Sequence, residues 1–185
     1  MPLPIICDVK LDLRRKYRLV IWGHVVNSSE HKVYGSTMKS FLFSILMTIT
    51  AANNLEVNMG DIGNLYLNAN TEENIYNLAG ADFELVGIMA ERTLLEVVKA
   101  LYRIPTSGNS WHAQLLYTLR ETIFKPTRFD PDVWIRGCKG GYNYISTRTD
   151  DVLIVAVNYT SVFNKLRDNY IIKAFGAPKV RLGCE

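Results

Sequence analysis

The sequence predicts an α+β domain, and three observations carry that prediction. A wholly apolar run, Val152 to Val157, follows a segment in which Tyr142, Tyr144 and Ser146 alternate with other residues, the pattern of two antiparallel strands. Trp111, Leu115 and Leu119, with Ile123, recur at helical spacing between Asn109 and Phe124. Strand-like and helix-like segments are mixed without the regular alternation that a parallel sheet with crossover helices requires.

Taken in order, residues 17–26 (YRLVIWGHVV) are β-branched and aromatic and predict a strand, which Asn27, Ser28 and Ser29 end as a turn. Ser36 or Thr37 is placed to cap a helix running to about Asn53, with Phe41, Ile45 and Thr48 or Ile49 on one face and Asn53-Asn54 closing it. Leu55, Val57 and Met59 then alternate with Glu56, Asn58 and Gly60, a strand with one buried face that ends at Gly60-Asp61; Gly63 marks a turn beyond it. Short strands are expected over 74–79 and within 93–104. Asn109 or Ser110 caps the next helix and Pro126 stops it. FDPDVWIR supplies a turn and a strand, Thr160 or Ser161 starts a short helix, and Gly176-Ala-Pro leads to a final extended piece, KVRLGCE. The expected architecture is an antiparallel sheet with helices on one face, in a single domain over residues 1–185 with no repeat or linker.

Composition narrows the function classes. Hydrophobic residues make up 48% of the 185, enough for a core and too many for a disordered chain. The net charge of +3 is too small to indicate nucleic acid by itself. Its distribution says more: Lys10, Arg14, Arg15, Lys16 and Arg18 cluster near the N-terminus, where they form either a solvated face or a phosphate contact. Three cysteines, Cys7, Cys138 and Cys184, show no zinc or disulfide spacing and suit a reducing compartment. The start is not a secretory signal, and the longest apolar run, Phe41 to Ala52, is interrupted by Ser44, Thr48 and Thr50 and is too short for a membrane span.

The chemistry lies in the carboxylates. Asp150 and Asp151 sit side by side at the mouth of an apolar strand, where like charges repel unless a cation neutralises them. Such a pair most often just caps a turn; held with a third acid at the end of another strand, Asp61, it becomes a candidate cage for a hard divalent cation. Trp111 and His112 fit packing better than ligation, and His24 and His31 have no partner legible in the sequence.

Five blocks in order carry a family resemblance: KYRLVIWGH, GDIGNLYLNA, KALYRIPTSGNSWH, FKPTRFDPDVWI and TDDVLIV. From about Lys16 to Gly183 the chain resembles the reverse transcriptase of copia-type (pseudovirus) LTR retrotransposons. The resemblance implies fingers and palm of a right-hand polymerase without the thumb, cut from a longer polyprotein. It implies an RNA-directed DNA polymerase that uses two Mg²⁺ or Mn²⁺ ions, an RNA or DNA template with its primer, and deoxynucleoside triphosphates. Asp61, Asp150 and Asp151 match the catalytic, metal-binding acids, with the Ile62 carbonyl as a further ligand. Arg18 and Lys16 match triphosphate contacts, and Tyr66 an aromatic that excludes a 2′-hydroxyl; on the residues alone, Arg18 equally suits a surface salt bridge and Tyr66 a core position. The implied setting is the element's cytoplasmic particle or the nucleus, with no membrane.

Two blocks depart from the family's pattern. A Tyr usual two residues before the aspartate pair is Arg148, and the Leu-Tyr-Gly-Leu-Lys block reads Leu101-Tyr102-Arg103-Ile104-Pro105. These departures keep a second expectation open: a decayed, inactive remnant that folds and retains nucleic-acid binding.

Overall fold

The computed structural model describes residues 2–9, 13–21 and 38–177. Residues 22–26 of the first expected strand, the Ser36 and Thr37 caps, His24, His31 and the KVRLGCE tail lie outside them. In chain order the elements are β1 (Pro2–Leu3), β2 (Ile5–Val9), β3 (Arg15–Leu19), α1 (Ser40–Asn53), β4 (Glu56–Ile62), β5 (Asn70–Ala79), α2 (Ala81–Leu85) and β6 (Leu94–Lys99). There follow α3 (Ser107–Glu121), β7 (Lys125–Pro126), β8 (Val133–Cys138), β9 (Gly141–Arg148), β10 (Asp151–Ala156), α4 (Thr160–Arg167) and β11 (Ile172–Gly176). The class is α+β, as the sequence predicts. The chain divides into two compact units, one of Met1–Gly35 with Tyr66–Trp111 and one of Ser36–Leu65 with His112–Glu185.

The first unit contains the β2–β3 hairpin and a sheet ordered β1-β5-β6, in which only the β1–β5 pair is parallel. Leu3, Ile21, Ile75, Phe83, Val97 and Leu101 form its core. The second unit is built on an antiparallel sheet ordered β11-β4-β10-β9-β8-β7. At its centre every residue of β10 from Val152 to Ala156 is buried, as the unbroken apolar run requires of a strand covered on both sides.

That burial corrects the expectation of helices on one face. Leu46 of α1 packs against Leu153 and Val155, with Val57 and Met59 of β4 beside them. On the opposite face, Phe163 of α4 stacks on Phe175 of β11 at 3.8 Å, and Phe175 also lies over Gly60. Strand alternation puts Gly60 and its partner Val152 behind the Leu153–Val155 side, so the sheet is sandwiched.

Helix α1 also buries a different stripe from the one expected. Phe41 and Ile45 are largely exposed, whereas Leu46 and Thr50 are buried and Phe43 and Met47 pack beside them. Ile45 and Ile49 instead line a cavity of about 540 Å³ with Leu42, Val133 and Ile135. Two of the three hydroxyls that interrupt the run are satisfied within the helix, Thr48 donating to the Ser44 carbonyl at 2.9 Å and Thr50 to that of Leu46 at 2.7 Å. The N-terminal cap position is Lys39, whose N–H donates to Asp130 Oδ2 at 3.1 Å; a distant carboxylate thus meets the positive end of the helix. Asn54, at φ 51°, closes the helix as expected.

Helix α3 begins at Ser107, before either expected cap, because Ile104 to Ser107 form a turn closed by the Ser107 N–H on the Ile104 carbonyl at 3.1 Å. Pro105 takes the second position of that turn, which its fixed φ favours. Trp111, Leu115 and Leu119 are buried as expected; Ile123 is exposed and lies beyond the helix at φ 65°, so the helix stops at Glu121, well before Pro126. Strand β11 was not legible in the sequence. No helix among the described residues is long and apolar enough to cross a membrane.

Candidate functional site

The β9–β10 hairpin is closed by Thr149 and Asp150, flanked by the pair Arg148 and Asp151. Thr149 sits at φ 50°, a region that β-branched residues rarely adopt, and so the turn is a point of backbone strain. On its other side β10 pairs with β4 so that Asp151 lies directly opposite Asp61. The Ile62 N–H donates to the Asp150 carbonyl at 2.8 Å and ties the hairpin tip to the end of β4. The fold therefore brings together three acids that lie up to 90 residues apart: Asp61 and Asp151 as a half-buried cross-strand pair, and Asp150 exposed on the turn beside them. Ile62 as a whole is 2% exposed, and the resemblance implies a ligand role for its backbone carbonyl alone, since its side chain carries no donor atom.

The next strand adds a cation. Lys173 of β11 is the register partner of Asp61 on the side away from Asp151. Its stem runs over Gly63, where an added Cβ would come within 2.7 Å of Lys173 Cε. At Gly60 a Cβ would meet Ile172 Cγ2 at 2.6 Å. At Gly60 β11 thus comes too close for a side chain, whereas at Gly63 the close neighbour is the flexible end of Lys173, which can move aside. One row across β11, β4, β10 and β9 then reads Lys173, Asp61, Asp151, Arg148. Sequence reading missed Lys173, because Ile172–Gly176 is short, bulged and without clear alternation.

The remaining candidates belong to the first unit. Lys16 and Arg18 share one side of β3, and Arg18 forms an ion pair with Asp8 of β2. The Arg18 guanidinium also lies 5.7 Å from the centre of the Tyr102 ring, against which Tyr66 packs edge-on at 4.9 Å. Tyr102 therefore links two residues that the sequence proposed for nucleotide contact, and it was itself overlooked. Lys16, half-buried, lies opposite Asp8 in the hairpin.

Next to Tyr102, Arg103 stands where the resembled pattern has Gly, and its φ is 70°. A left-handed backbone explains a glycine there and penalises an arginine. Arg103→Gly is expected to stabilise the chain by about 0.5–1 kcal/mol, read as a higher urea midpoint with unchanged slope.

Among the described residues, no three His, Cys, Asp or Glu side chains form a group that could hold a metal ion by themselves. The acid row nonetheless fits a particular kind of ion. Mg²⁺ is commonly held by one or two carboxylates together with substrate phosphates and waters, not by an all-protein cage. Two hard oxygen donors side by side on adjacent strands are such a partial set. His112 is engaged elsewhere: its Nε2 is 2.6 Å from Oδ1 of the buried Asp132, whose N–H donates to Asp130 Oδ1 at 2.9 Å. The imidazole is thus held by an ion-pair geometry within the chain.

Fold and site together define an α+β domain whose antiparallel sheet ends in a carboxylate pair beside a strained hairpin. Residues 6–185 match the family model described as reverse transcriptase (RNA-dependent DNA polymerase), and the chain belongs to that family. It is 24% identical over 151 residues to the retrovirus-related Pol polyprotein from transposon TNT 1-94 of Nicotiana tabacum. The match covers 80% of this chain and 11% of the polyprotein, so the chain corresponds to a small part of that relative. The copia-type reverse transcriptase resemblance read from the five blocks is thereby upheld.

Proposed function

We propose that this chain is the catalytic portion of an RNA-directed DNA polymerase that extends a primer on an RNA or DNA template with deoxynucleoside triphosphates. The observation that carries the proposal is the register that sets Asp61 opposite Asp151, with Asp150 tied beside them. In this reading Asp61, Asp150 and Asp151, with the Ile62 carbonyl, hold two divalent ions. The chemistry that Mg²⁺ or Mn²⁺ supplies when bound is activation of the primer 3′-hydroxyl and stabilisation of charge on the leaving pyrophosphate.

The six-stranded unit takes the part of a palm, and the unit bearing the β2–β3 hairpin that of fingers. Arg18 offers a planar fork to the triphosphate, with Lys16 as a second cation. Its ion pair with Asp8 does not oppose this role, because an exposed pair contributes little and is readily exchanged for a phosphate. Tyr66, braced by Tyr102, serves as the aromatic that excludes a 2′-hydroxyl.

A second reading, an inactive remnant, is favoured by Arg103, a residue that strains its own backbone where the family's pattern has glycine. Primer extension on a poly(A) template with Mg²⁺ or Mn²⁺ separates the two. Extension by the native chain that disappears in Asp150→Asn is the expected result. A folded protein that binds the primed duplex and extends nothing would establish the remnant instead.

A further inference from the structure

The charges around the acid pair carry an inference of their own, which rests on the carboxylate reading above. Lys173, Asp61, Asp151 and Arg148 are successive register partners across four strands, and partners in such a row project from one face about 4.5–5.5 Å apart at Cβ. Two cations bracket two carboxylates, so the formal charges of the row cancel without any bound ion. Arg148 is the unusual member, standing where the resembled pattern has a neutral tyrosine. It is exposed, and it adjoins Thr149 at the strained turn.

We infer that Arg148 is a built-in counter-cation that sets how tightly the acid pair takes a divalent ion. A fixed positive charge one strand away from Asp151 repels an incoming cation, and this electrostatic cost falls on every ion the pair binds. With tyrosine at this position the row would carry a net negative charge and attract the ion. A triphosphate reverses the balance, since its own negative charge draws both the ion and the guanidinium. The chain is thus tuned to take ion and nucleotide together, with little affinity for the ion alone.

The test is Mn²⁺ binding to the full chain without nucleotide, read from the free-ion electron paramagnetic resonance signal. Arg148→Tyr is expected to bind Mn²⁺ about three- to tenfold more tightly than the native chain. Arg148→Gln should show the same gain, which guards against a folding defect of the tyrosine variant, and Arg148→Lys, which keeps the charge, should stay near native. A merely structural role would loosen binding in all three. If Asp151→Asn weakens Mn²⁺ binding but neither neutral variant at 148 tightens it, the inference about Arg148 is overturned and the carboxylate reading stands. If Asp151→Asn leaves Mn²⁺ binding unchanged, the carboxylate reading itself fails and takes this inference with it.

Discussion

Asp61→Asn and Asp151→Asn will each lower single-nucleotide incorporation by about a thousandfold or more, and the double variant will lose no more than either alone. The size follows from what a metal-assisted step requires, several kcal/mol of charge stabilisation at the transferring phosphoryl group, each 1.36 kcal/mol being about a tenfold rate. The non-additivity follows from geometry. The two carboxylates are register partners, so on the function proposed above they would serve one ion site as a unit, and removing the first would leave the second little to do. Stability gives a second readout. In the row each acid faces one cation and one acid, so loss of one charge removes an attraction and a repulsion together, and without metal each single variant should melt near the native temperature. The checks are rapid-quench incorporation on a primed template and thermal unfolding followed by circular dichroism. Losses that multiply in the double variant would refute a shared ion site. A lower melting temperature would assign the acids a structural role.

The parts of this arrangement that could be read in the sequence are those set by local pattern. The run from Val152 to Val157 announced β10, which stops one residue short of it at Ala156, the aromatic alternation announced β9, and the polar residues between them placed the acids at or beside the tip. Alternation at Leu55, Val57 and Met59 likewise placed Asp61 at a strand end. That Asp61 would face Asp151 was legible only through family resemblance, because register between strands 90 residues apart is a tertiary property. Lys173 was invisible for a related reason: β11 owes its place to packing, with Phe175 stacked on Phe163 and Gly60 making room on β4, and not to any periodicity of its own. The face of α1 was misjudged because apolar residues surround that helix, and spacing alone cannot tell a stripe that meets β10 from one that lines a cavity. Tyr102 was passed over since an aromatic in a loop gives no sign of which rings and cations it will touch.

Trp134→Ala will cost the chain about 3–5 kcal/mol, a large part of the roughly 5–15 kcal/mol that stabilises a typical domain. Trp134 is fully buried on β8 and heads a row that continues through Ile145 of β9 and Ile154 of β10, both also buried. Ile145 stands between Tyr144 and Ser146, so a one-residue slip of β9 would bring a polar group to the face shared with Trp134 and Ile154, and the row thus holds the register of β9 against both neighbours. The indole N–H makes no hydrogen bond within the described residues, a cost of its own that truncation relieves, which favours the lower end of the range. Leu85→Ala, at a side chain 85% exposed, serves as the comparison and should leave the urea midpoint unchanged. The same loss should reach the carboxylates. The hairpin that carries Asp150 and Asp151 is continuous with β9 and β10, so loosening the row behind it frees the turn as well. Amide exchange at Ile62, whose N–H is bonded to the Asp150 carbonyl, should then quicken in Trp134→Ala well before global unfolding. If exchange at Ile62 keeps its native rate while the midpoint falls, the acid pair is held by local contacts at the strand ends, and the packing behind the sheet has no part in aligning it.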